Sequence, residues 1–313
     1  MKRREVLKVA SLALLSTLTS GVAAEKRTSH GQVKDKYAAG KKKKNPKVVV
    51  VGGGWAGLAL AKHIKVFAPE SEVVLVEKRD HFVSCPMSNE WLVDLVDLEF
   101  LTHSYIDAAE NNNYTFMNAT AIDVDKKRNI LMTSGGELAY DHLIFAVGIE
   151  YDYFNWAKDD KNLEQRLRNE YPAAFIPGSE HITLKQKIKN FKGGNFILTV
   201  PKGNYRCLAA PYERACLIAD YFKHHGIDGK VIIMDESNHI RIKDKGFSSA
   251  FEELYKDRIV YMPSAEIVEF DLDKKIVKTD FDEIAFEDAS FYPNVKAPFI
   301  LEKLHMTKKT PFN

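Results

Sequence analysis

The chain has 313 residues, 45% of them hydrophobic, which is enough apolar material for two packed domains. Its formal net charge is only +2, so the overall charge gives no reason to expect nucleic acid as a partner. The three cysteines, Cys85, Cys207 and Cys216, are too few for a disulfide scaffold, and their odd number and wide spacing fit redox or covalent chemistry better.

The first 24 residues have the pattern of an export signal. A basic segment that includes Arg3 and Arg4 is followed by an apolar stretch and by small residues up to Ala24. The paired arginines resemble a twin-arginine signal, which exports proteins that have already folded. About ten apolar residues are too few to span a bilayer, so we expect no transmembrane segment. We expect cleavage after Ala24, a mature protein in the bacterial periplasm, and a solvated basic linker over residues 25–46.

The stretch from Val48 to Gly57 reads VVVVGGGWAG and is the clearest motif of the chain. β-Branched residues end in glycines spaced G-x-G-x-x-G and a helical pattern follows, which is typical of the strand–turn–helix that holds a dinucleotide. The first glycine makes the turn, the second lets the backbone approach a pyrophosphate, and the third allows the helix to pack on the strand. The helix N-terminus supplies the anion site. The expected cofactor contacts of this turn are Gly52, Gly53, Gly54, Trp55, Ala56 and Gly57.

A second strand, from Glu72 to Val76, leads to Glu77, about 20 residues beyond the last glycine, where a carboxylate accepts hydrogen bonds from a ribose. Lys78 follows, and we include it among the expected cofactor contacts. Residues 79–90 have no long helical or strand period and are expected to form a loop at the carboxyl ends of the strands. Cys85 in this loop is expected beside the flavin or nicotinamide part of the ligand, where a thiolate forms a covalent bond or passes electrons. A single loop cysteine, taken alone, is more often inert packing.

The next part of the chain has the pattern of a β-meander that returns to the central sheet. One strand-like stretch is expected over residues 114–125, a short strand over residues 129–132, and an apolar strand over residues 142–147 that ends at Gly148. The Tyr-Asp-x-Leu-Ile-x-Ala-x-Gly pattern here resembles the second fingerprint of flavoproteins with two dinucleotide domains. Ala146 and Gly148 are therefore further expected cofactor contacts, because a strand-end glycine lets the chain pass close to the cofactor.

A second α/β unit follows a charged, aromatic crossover segment over residues 152–176. It repeats the strand–loop–helix–strand order of the first unit, but its loop lacks the glycine fingerprint and carries Pro201 and Pro211. A pyrophosphate cannot sit as close to such a loop, so NAD(P)H binding is disfavoured. Cys207 lies in this loop beside Arg206, at the entry to a helix, and both features favour a thiolate.

The helix after this loop carries further candidates. Glu213, in its first turn, is a candidate proton shuttle to sulfur species, although an acidic residue there also suits the helix dipole. Cys216 lies mid-helix among apolar residues and is expected in the core. His224 and His225 suit the helix end, and they have no cysteine or carboxylate partners at the spacing of metal ligands, so we expect no metal.

Several of these segments together resemble the flavoprotein subunit of flavocytochrome c sulfide dehydrogenase. The segment that contains Cys207 and the following Pro-Tyr-Glu-Arg-Ala is more specific than any glycine motif. Sulfide:quinone oxidoreductase is a related alternative with the same two-dinucleotide-domain fold. The matching segments are the export signal, the VVVVGGGWAG turn, Glu77, Cys85–Glu90, Tyr205–Cys207, Pro211–Ala215, Lys230–Asp235 and Phe251–Tyr255.

The resemblance implies an α/β fold with two Rossmann-like domains and a periplasmic FAD enzyme that oxidises sulfide and passes electrons to a c-type cytochrome subunit. It implies that Cys85 can hold FAD through a thioether, that Cys207 is one half of a redox disulfide against the flavin, and that Glu213 is the acid/base. Sulfide attack on that disulfide gives a persulfide, and the released thiolate reduces the flavin. No Cys-x-x-Cys-His motif occurs in the chain, so the haem is expected on the partner.

The family continues, where this sequence ends, with the second disulfide cysteine, a Gly-Asp strand end at the flavin and an interface domain. We therefore expect a truncated product, or a remnant whose sulfide chemistry is lost, with apolar surface left open. Cys216 is a poor replacement for the second cysteine, because nine residues of helix place it about 13 Å from Cys207. A last strand-like stretch is expected over residues 284–291. The expected segments are a signal peptide (1–24), a linker (25–46), an FAD-binding domain (47–151), a second Rossmann-like domain (152–287) and a shortened return to the FAD domain (288–313).

Three functions stay open on the sequence alone. They are the flavin subunit of a sulfide dehydrogenase, a sulfide:quinone or NAD(P)H-dependent disulfide oxidoreductase, and a non-catalytic remnant with or without flavin. An NAD(P)H-dependent enzyme needs a nicotinamide site that the second unit does not show. Yellow colour excludes a flavin-free remnant, and bleaching by sulfide but not by NADH rejects the NAD(P)H-dependent enzyme.

Overall fold

The computed structural model describes residues 45–203 and 205–308. The expected signal peptide over residues 1–24 and nearly all of the expected linker over residues 25–46 lie outside the described residues. No helix in the described part of the chain is long and apolar enough to cross a membrane.

Strands and helices are mixed along the described part of the chain, with two runs of six consecutive strands, over residues 115–152 and 259–296. The strands are β1 (Lys47–Val51), β2 (Glu72–Glu77), β3 (His81–Val83), β4 (Thr102–Ser104), β5 (Thr115–Asn118), β6 (Ala121–Asp125), β7 (Ile130–Thr133), β8 (Gly136–Ala139), β9 (His142–Phe145), β10 (Glu150–Asp152), β11 (Gly194–Val200), β12 (Gly229–Asp235), β13 (Ile259–Pro263), β14 (Ile267–Asp271), β15 (Ile276–Thr279), β16 (Glu283–Ala285), β17 (Asp288–Ser290) and β18 (Asn294–Lys296). The helices are α1 (Trp55–Phe67), α2 (Ser88–Leu92), α3 (Leu98–Leu101), α4 (Tyr105–Asn112), α5 (Phe154–Ala157), α6 (Lys161–Glu170), α7 (Ser179–Asn190), α8 (Ala210–His224), α9 (Asp244–Ser249) and α10 (Phe299–Lys303), with a π-helical turn over Ala250–Leu254.

The first lobe (residues 45–151) is built on a parallel sheet with the strand order β5-β2-β1-β9. Its central strands are continuous runs of β-branched and aliphatic residues because both faces are covered. One face, with Val48 and Val50, packs against α1 and α4, and the other, with Val49 and Val51, packs against the meander β6-β7-β8. The stretch expected as one strand over residues 114–125 is two strands, because the chain leaves the central sheet after β5 and enters the meander at β6.

The segment expected as a loop over residues 79–90 contains short regular elements. Strand β3 pairs antiparallel with β4, and α2 begins at Ser88, directly after Met87 in a left-handed conformation with φ of +67°. These elements are three and five residues long, which is too short for a repeating apolar pattern to reveal them.

The second lobe (residues 152–290) is built on another parallel sheet, with the strand order β13-β12-β11-β17. The crossover segment contributes α5, α6 and then a buried stretch from Tyr171 to Phe175 that joins the core of this lobe. The strand expected over residues 284–291 is also divided. Strand β16 belongs to the small antiparallel sheet β14-β15-β16, whereas β17 lies beside β11 in the parallel sheet.

After the second sheet the chain returns to the first lobe. Strand β18 pairs antiparallel with β10, and α10 follows beside the meander. Lys303 forms an ion pair of 2.7 Å with Asp123 of β6, and Lys126 donates to the carbonyl of Leu304 at 2.8 Å. The domain boundaries expected from the sequence stay predictions.

Candidate functional site

The glycine turn between β1 and α1 has the geometry that a pyrophosphate needs. Gly52 has φ of +105°, and a Cβ on it would overlap the carbonyl oxygen of Ala146. A Cβ on Gly57 would overlap the carbonyl oxygen of Gly52, so the third glycine sets how closely α1 packs on the turn. At Gly54, by contrast, no described atom lies within 4 Å of an added Cβ. The N-terminus of α1, without a capping side chain or an acidic first turn, therefore opens towards free space as an anion site requires.

Glu77 ends β2 and is buried beside this turn. Its Oε2 accepts the backbone N–H of Gly53 at 2.7 Å, and Arg79 donates to its two carboxylate oxygens at 2.9 and 3.2 Å. Burial alone would raise the pKa of Glu77, but Arg79 and the two backbone N–H groups outweigh it and lower that pKa. An ionised carboxylate at this strand end suits the hydroxyl groups of a ribose.

The other expected cofactor contacts line the same edge of the first sheet. The ring of Trp55 is exposed and meets Phe82 edge-on, and the hydroxyl of Tyr105 donates to the carbonyl of Gly53 at 2.8 Å. The open glycine turn, the ionised Glu77 and the exposed aromatic ring together fit a dinucleotide cofactor. Of the remaining expected contacts, Ala56, Lys78 and Gly148 are exposed and Ala146 is half-buried.

Cys85 lies between β3 and α2 and is half-buried. Its thiol donates to the carbonyl of Phe175, in the crossover segment, at 3.5 Å. Burial raises the pKa of Cys85, while the positive charges of Arg206, Arg214 and Arg79 act in the opposite direction. Since two of these arginines come from the second lobe and one from the first, Cys85 lies where the two lobes meet.

Cys207 is exposed and precedes α8 by three residues, in a left-handed conformation with φ of +58°. The loop is fixed by Tyr292, whose hydroxyl oxygen accepts the N–H of Arg206 at 3.0 Å and donates to its carbonyl at 3.2 Å. The buried ring of Tyr292 stacks on Phe175, with 3.9 Å between the ring centroids. Phe175 therefore contacts both the Cys85 thiol and the residue that holds the Cys207 loop.

Asn89 makes a second connection between the cysteine loops. It lies four residues after Cys85, and its Nδ2 donates to Glu213 at 2.7 Å. Its Oδ1 accepts Nε of Arg214 at 2.9 Å. Arg214, only 2% exposed, also donates to the carbonyls of two crossover residues at 2.6 and 2.7 Å. The structure thus brings Glu213 to the Cys85 segment, with its own carboxylate exposed to solvent.

The remaining candidates do not join this arrangement. Cys216 is half-buried against the core of the second lobe, and burial raises its pKa to about 11. His224 and His225 are exposed at the end of α8, each contacting a residue one turn earlier. Within the described ranges, no three His, Cys, Asp or Glu side chains are arranged to hold a metal ion.

Among the residues of this arrangement that carried no sequence-based expectation of a role are Arg79, Asn89, Phe175 and Arg214. Asn89 and Arg214 fall inside segments that carried the resemblance, which is the signal that marks them. Arg79 and Phe175 lie outside those segments; Arg79 binds Glu77, only two residues away, whereas Phe175 depends on contacts with Cys85 and Tyr292, far along the chain.

The chain is similar to known proteins in both lobes. A model described as the central part of the sulfide dehydrogenase [flavocytochrome c] flavoprotein chain matches residues 182–290, and one for pyridine nucleotide-disulphide oxidoreductases matches residues 46–170. The sulfide dehydrogenase [flavocytochrome c] flavoprotein chain of Chlorobaculum thiosulfatiphilum is 49% identical over 43 residues, which are 14% of this chain and 90% of that sequence. The mitochondrial sulfide:quinone oxidoreductase of Dictyostelium discoideum is 27% identical over 264 residues, covering 81% of this chain and 55% of the relative.

A solved structure shows the same fold. The sulfide:quinone oxidoreductase of the hyperthermophilic bacterium Aquifex aeolicus superimposes with a TM-score of 0.66 at 19% identity, over 82% of this chain and 60% of that one. The chain spans about half the length of the curated relatives it matches. The expected α/β fold with two Rossmann-like units is confirmed, and so is the expected FAD cofactor. By its similarity in both lobes, the chain belongs to the family of flavocytochrome c sulfide dehydrogenase flavoprotein chains, whose cofactor is FAD.

Proposed function

We propose that this chain is the flavin-binding part of a periplasmic enzyme that oxidises sulfide and passes the electrons to a c-type cytochrome subunit. The observation that supports it best is the connection of two cysteine-bearing loops, one from each lobe, through Asn89 and Phe175. A reaction that moves electrons from sulfur to one flavin needs sulfur and flavin in contact.

In this proposal the residues of the glycine turn and Glu77 hold FAD. The open N-terminus of α1 would hold the pyrophosphate, and the Glu77 carboxylate would accept the ribose hydroxyls. When bound, FAD supplies a two-electron acceptor. Cys85 would be the residue that holds this flavin through its sulfur atom.

Cys207 holds the sulfur atom. An S–S bond forms between hydrosulfide and the Cys207 thiolate to give a persulfide, and the S–H bond of hydrosulfide breaks. The proton passes to Glu213, which Asn89 orients, and the two electrons pass to the bound acceptor. Cys216 takes no part, because its buried thiol stays protonated at neutral pH.

Anaerobic mixing of the FAD-loaded chain with sulfide tests this role of Cys207. The wild-type chain and Cys216→Ser should lose flavin absorbance at rates within about twofold of each other, whereas Cys207→Ser should be slower by about 100-fold or more. Peptide mass analysis should find one added sulfur atom on Cys207. Equal bleaching rates for wild type and Cys207→Ser would contradict the assignment.

The thioether at Cys85 has a separate test. Acid precipitation of the wild-type chain should carry the yellow colour into the pellet, and that of Cys85→Ser should release it into the supernatant. Release of all flavin from the wild type would show that the cofactor is not covalent.

A quinone is the second candidate acceptor, and the similarity to sulfide:quinone oxidoreductases over most of the described residues favours it. To compare the acceptors, the flavin of the FAD-loaded chain is first reduced with sulfide, and a c-type cytochrome or a soluble quinone is then added. Our proposal expects faster reoxidation by the cytochrome, and faster reoxidation by the quinone would replace it.

The periplasmic location depends on the first 24 residues. Fractionation of cells that produce the whole chain should place it in the periplasm without residues 1–24. Replacing Arg3 and Arg4 by lysine should keep it in the cytoplasm. An unprocessed cytoplasmic wild-type chain would contradict the location.

A further inference from the structure

Glu180, in the first turn of α7, binds backbone N–H groups near the end of the crossover segment. Its carboxylate accepts the N–H of Ala174 and that of Ile176, each at 2.9 Å. The hydroxyl of Tyr151 accepts the N–H of Phe175 at 2.8 Å and that of Ile176 at 3.0 Å. The same hydroxyl donates to the two carboxylate oxygens of Glu180 at 3.0 and 3.1 Å. Glu180 therefore holds the backbone of residues 174–176, partly through Tyr151.

The carbonyl groups of the same stretch bind a guanidinium and a thiol. Arg214 donates to the carbonyls of Ala173 and Ala174, and its guanidinium carbon lies 4.1 Å from the centroid of the Phe175 ring. The carbonyl of Phe175 accepts the Cys85 thiol. Ala174 has φ of +54°, a left-handed conformation that a residue with a Cβ keeps only when its surroundings hold it there. The position of the thiol's acceptor therefore depends on the contacts made by the neighbouring N–H groups.

The charge of Glu180 acts on the Cys85 thiol as well. Burial raises the pKa of Cys85, and the negative charge of Glu180 raises it further. Arg206, Arg214 and Arg79 oppose this rise. A hydrogen bond donated by the thiol also favours its protonated form. Cys85 is therefore kept as a thiol at a boundary that carries three arginines.

The groups around Glu180 fit an ionised carboxylate. Burial raises the pKa of Glu180, but the two N–H groups, the phenol and the positive charge of Arg214 favour the charged form. Burial also raises the pKa values of Tyr151 and Tyr153 above 10.0, so both phenols are neutral. His181, the next residue, is neutral because burial lowers its pKa to about 3. Glu180 therefore supplies the negative charge of this cluster.

The second cysteine of the boundary lies in different surroundings. Cys207 is exposed, whereas Cys85 is half-buried and donates to a backbone carbonyl. The thiolate, rather than the thiol, is the nucleophile in sulfur chemistry. In the function proposed above, Cys207 takes the sulfur atom and Cys85 holds the flavin. A thiolate at Cys85 would compete with Cys207 for sulfur.

We propose that Glu180 is a positioning residue that determines which boundary cysteine reacts: it holds Cys85 on the Phe175 carbonyl and so reserves the sulfur chemistry for Cys207. This inference rests on the proposed function, because it concerns the separate tasks of the two cysteines. Glu180 acts through the crossover backbone and through its charge.

Alkylation by iodoacetamide of the full-length chain, prepared without FAD, tests the proposal. Peptide mass analysis measures the rate at each cysteine over a range of pH. Glu180→Gln should raise the Cys85 rate about tenfold at about pH 7 and lower the midpoint of its pH profile by about one unit, because one charge that opposes the thiolate is removed. The Cys207 rate should stay within about twofold of the wild type.

Two controls accompany this variant. Glu164→Gln removes a carboxylate from the first turn of α6, where it binds Arg168, and should leave the Cys85 profile unchanged. Cys216, half-buried against the core of the second lobe, should keep its wild-type rate and reports any general loosening. The unfolding midpoint of each variant establishes that it is folded.

A Cys85 rate that rises equally at every pH, without a shift of the midpoint, would mean that Glu180→Gln only loosens the structure, and it would overturn the proposal. An unchanged Cys85 rate, or equal effects of Glu180→Gln and Glu164→Gln, would overturn it as well. The wild-type chain provides a test that needs no variant. Its Cys85 should react about tenfold or more slowly than Cys207 at about pH 7, and equal rates would overturn the proposal.

The alkylation assay contains neither sulfide nor flavin. Its failure would therefore leave the sulfide-bleaching test of Cys207 standing. Equal bleaching rates for wild type and Cys207→Ser would overturn the proposed function without changing the alkylation rates.

Discussion

His181, in the first turn of α7, is buried, and neither ring nitrogen has a hydrogen-bond partner among the described residues. Burial, with the nearby charges of Arg214 and Arg206, lowers its pKa from 6.5 to about 3. The ring is therefore neutral in the folded protein at pH 5, where the unfolded chain would protonate it. His181 should therefore make the free energy of unfolding decrease as the pH is lowered.

His181→Leu should remove this pH dependence. Because the folded pKa lies below the unfolded one, stability is fully present above pH 6.5 and falls as the pH decreases towards 3. By pH 5 the wild type should lose roughly 2 kcal/mol from this group, which urea unfolding at several pH values measures. The exposed His224→Leu serves as control and should keep the wild-type slope. The same slope in His181→Leu and wild type would contradict the account.

Arg214 is the buried residue on which the connection between cysteine loops depends. Arg214→Lys keeps the charge but cannot supply the planar fork that reaches Asn89 and two crossover carbonyls. We expect a loss of about 2–4 kcal/mol in the free energy of unfolding, measured by urea denaturation. Arg128→Lys, at an exposed ion pair, should leave the free energy of unfolding nearly unchanged. Equal costs for the two variants would show that the buried fork is unimportant.

Sequence patterns predicted some residues of the candidate site and missed others. Gly52, Glu77 and Cys207 were predicted because their chemistry depends on local order, such as a strand end or a helix entry. The roles of Asn89 and Arg214 were not, because they arise from contacts between residues more than 100 positions apart. Burial and partner choice at such distances come from tertiary packing, which a periodic pattern does not encode.

At the scale of the elements, two glycines of the turn between β1 and α1 should have different roles: Gly57 should be needed for folding, and Gly54 for binding FAD. Gly57→Ala should destabilise the FAD-free chain strongly, because the added Cβ overlaps the Gly52 carbonyl and pushes α1 off the turn. Gly54→Ala should leave the unfolding midpoint unchanged, since φ of −75° suits any residue and the space is open. It should still weaken FAD binding about tenfold or more, measured by flavin fluorescence, because our proposal puts the pyrophosphate in that space.

The FAD affinity of Gly54→Ala can contradict this account. If Gly54→Ala binds FAD as tightly as the wild type, the pyrophosphate does not lie at the N-terminus of α1. The unfolding midpoint of the FAD-free chain is the control that separates this result from misfolding.

Long elements were predicted well and short ones were not. Strands β1 and β11 and helices α1 and α8 have clear apolar patterns, whereas β3 and α2 are too short to show one. The two strand-like stretches that proved to be divided, over residues 114–125 and 284–291, each supply strands to two different sheets. The pairing partners decide where such a stretch breaks. Strands β6 and β16 pair with adjacent strands of the chain, whereas β5 and β17 pair with β2 and β11, which lie far along it.

At the scale of the whole molecule, the two lobes each contain a four-stranded parallel sheet, and they differ in the loops that follow the strands. Both sheets place a carboxylate against a backbone N–H at the same register, but only the first has the glycine turn. Both lobes also bring a cysteine loop to their common boundary, where Phe175 and Asn89 connect them. The family and its FAD cofactor follow from this fold and the similarity, whereas the sulfide reaction is the function that we propose for it.

The absorption spectrum of the FAD-loaded chain under anaerobic sulfide tests the central claim most directly. Sulfide should bleach the flavin bands in wild type, and an equal concentration of NADH, offered to a second sample, should leave them unchanged. Bleaching by NADH without bleaching by sulfide would contradict the account, because it would make the second lobe a nicotinamide site and remove the reason for two cysteine loops at the boundary.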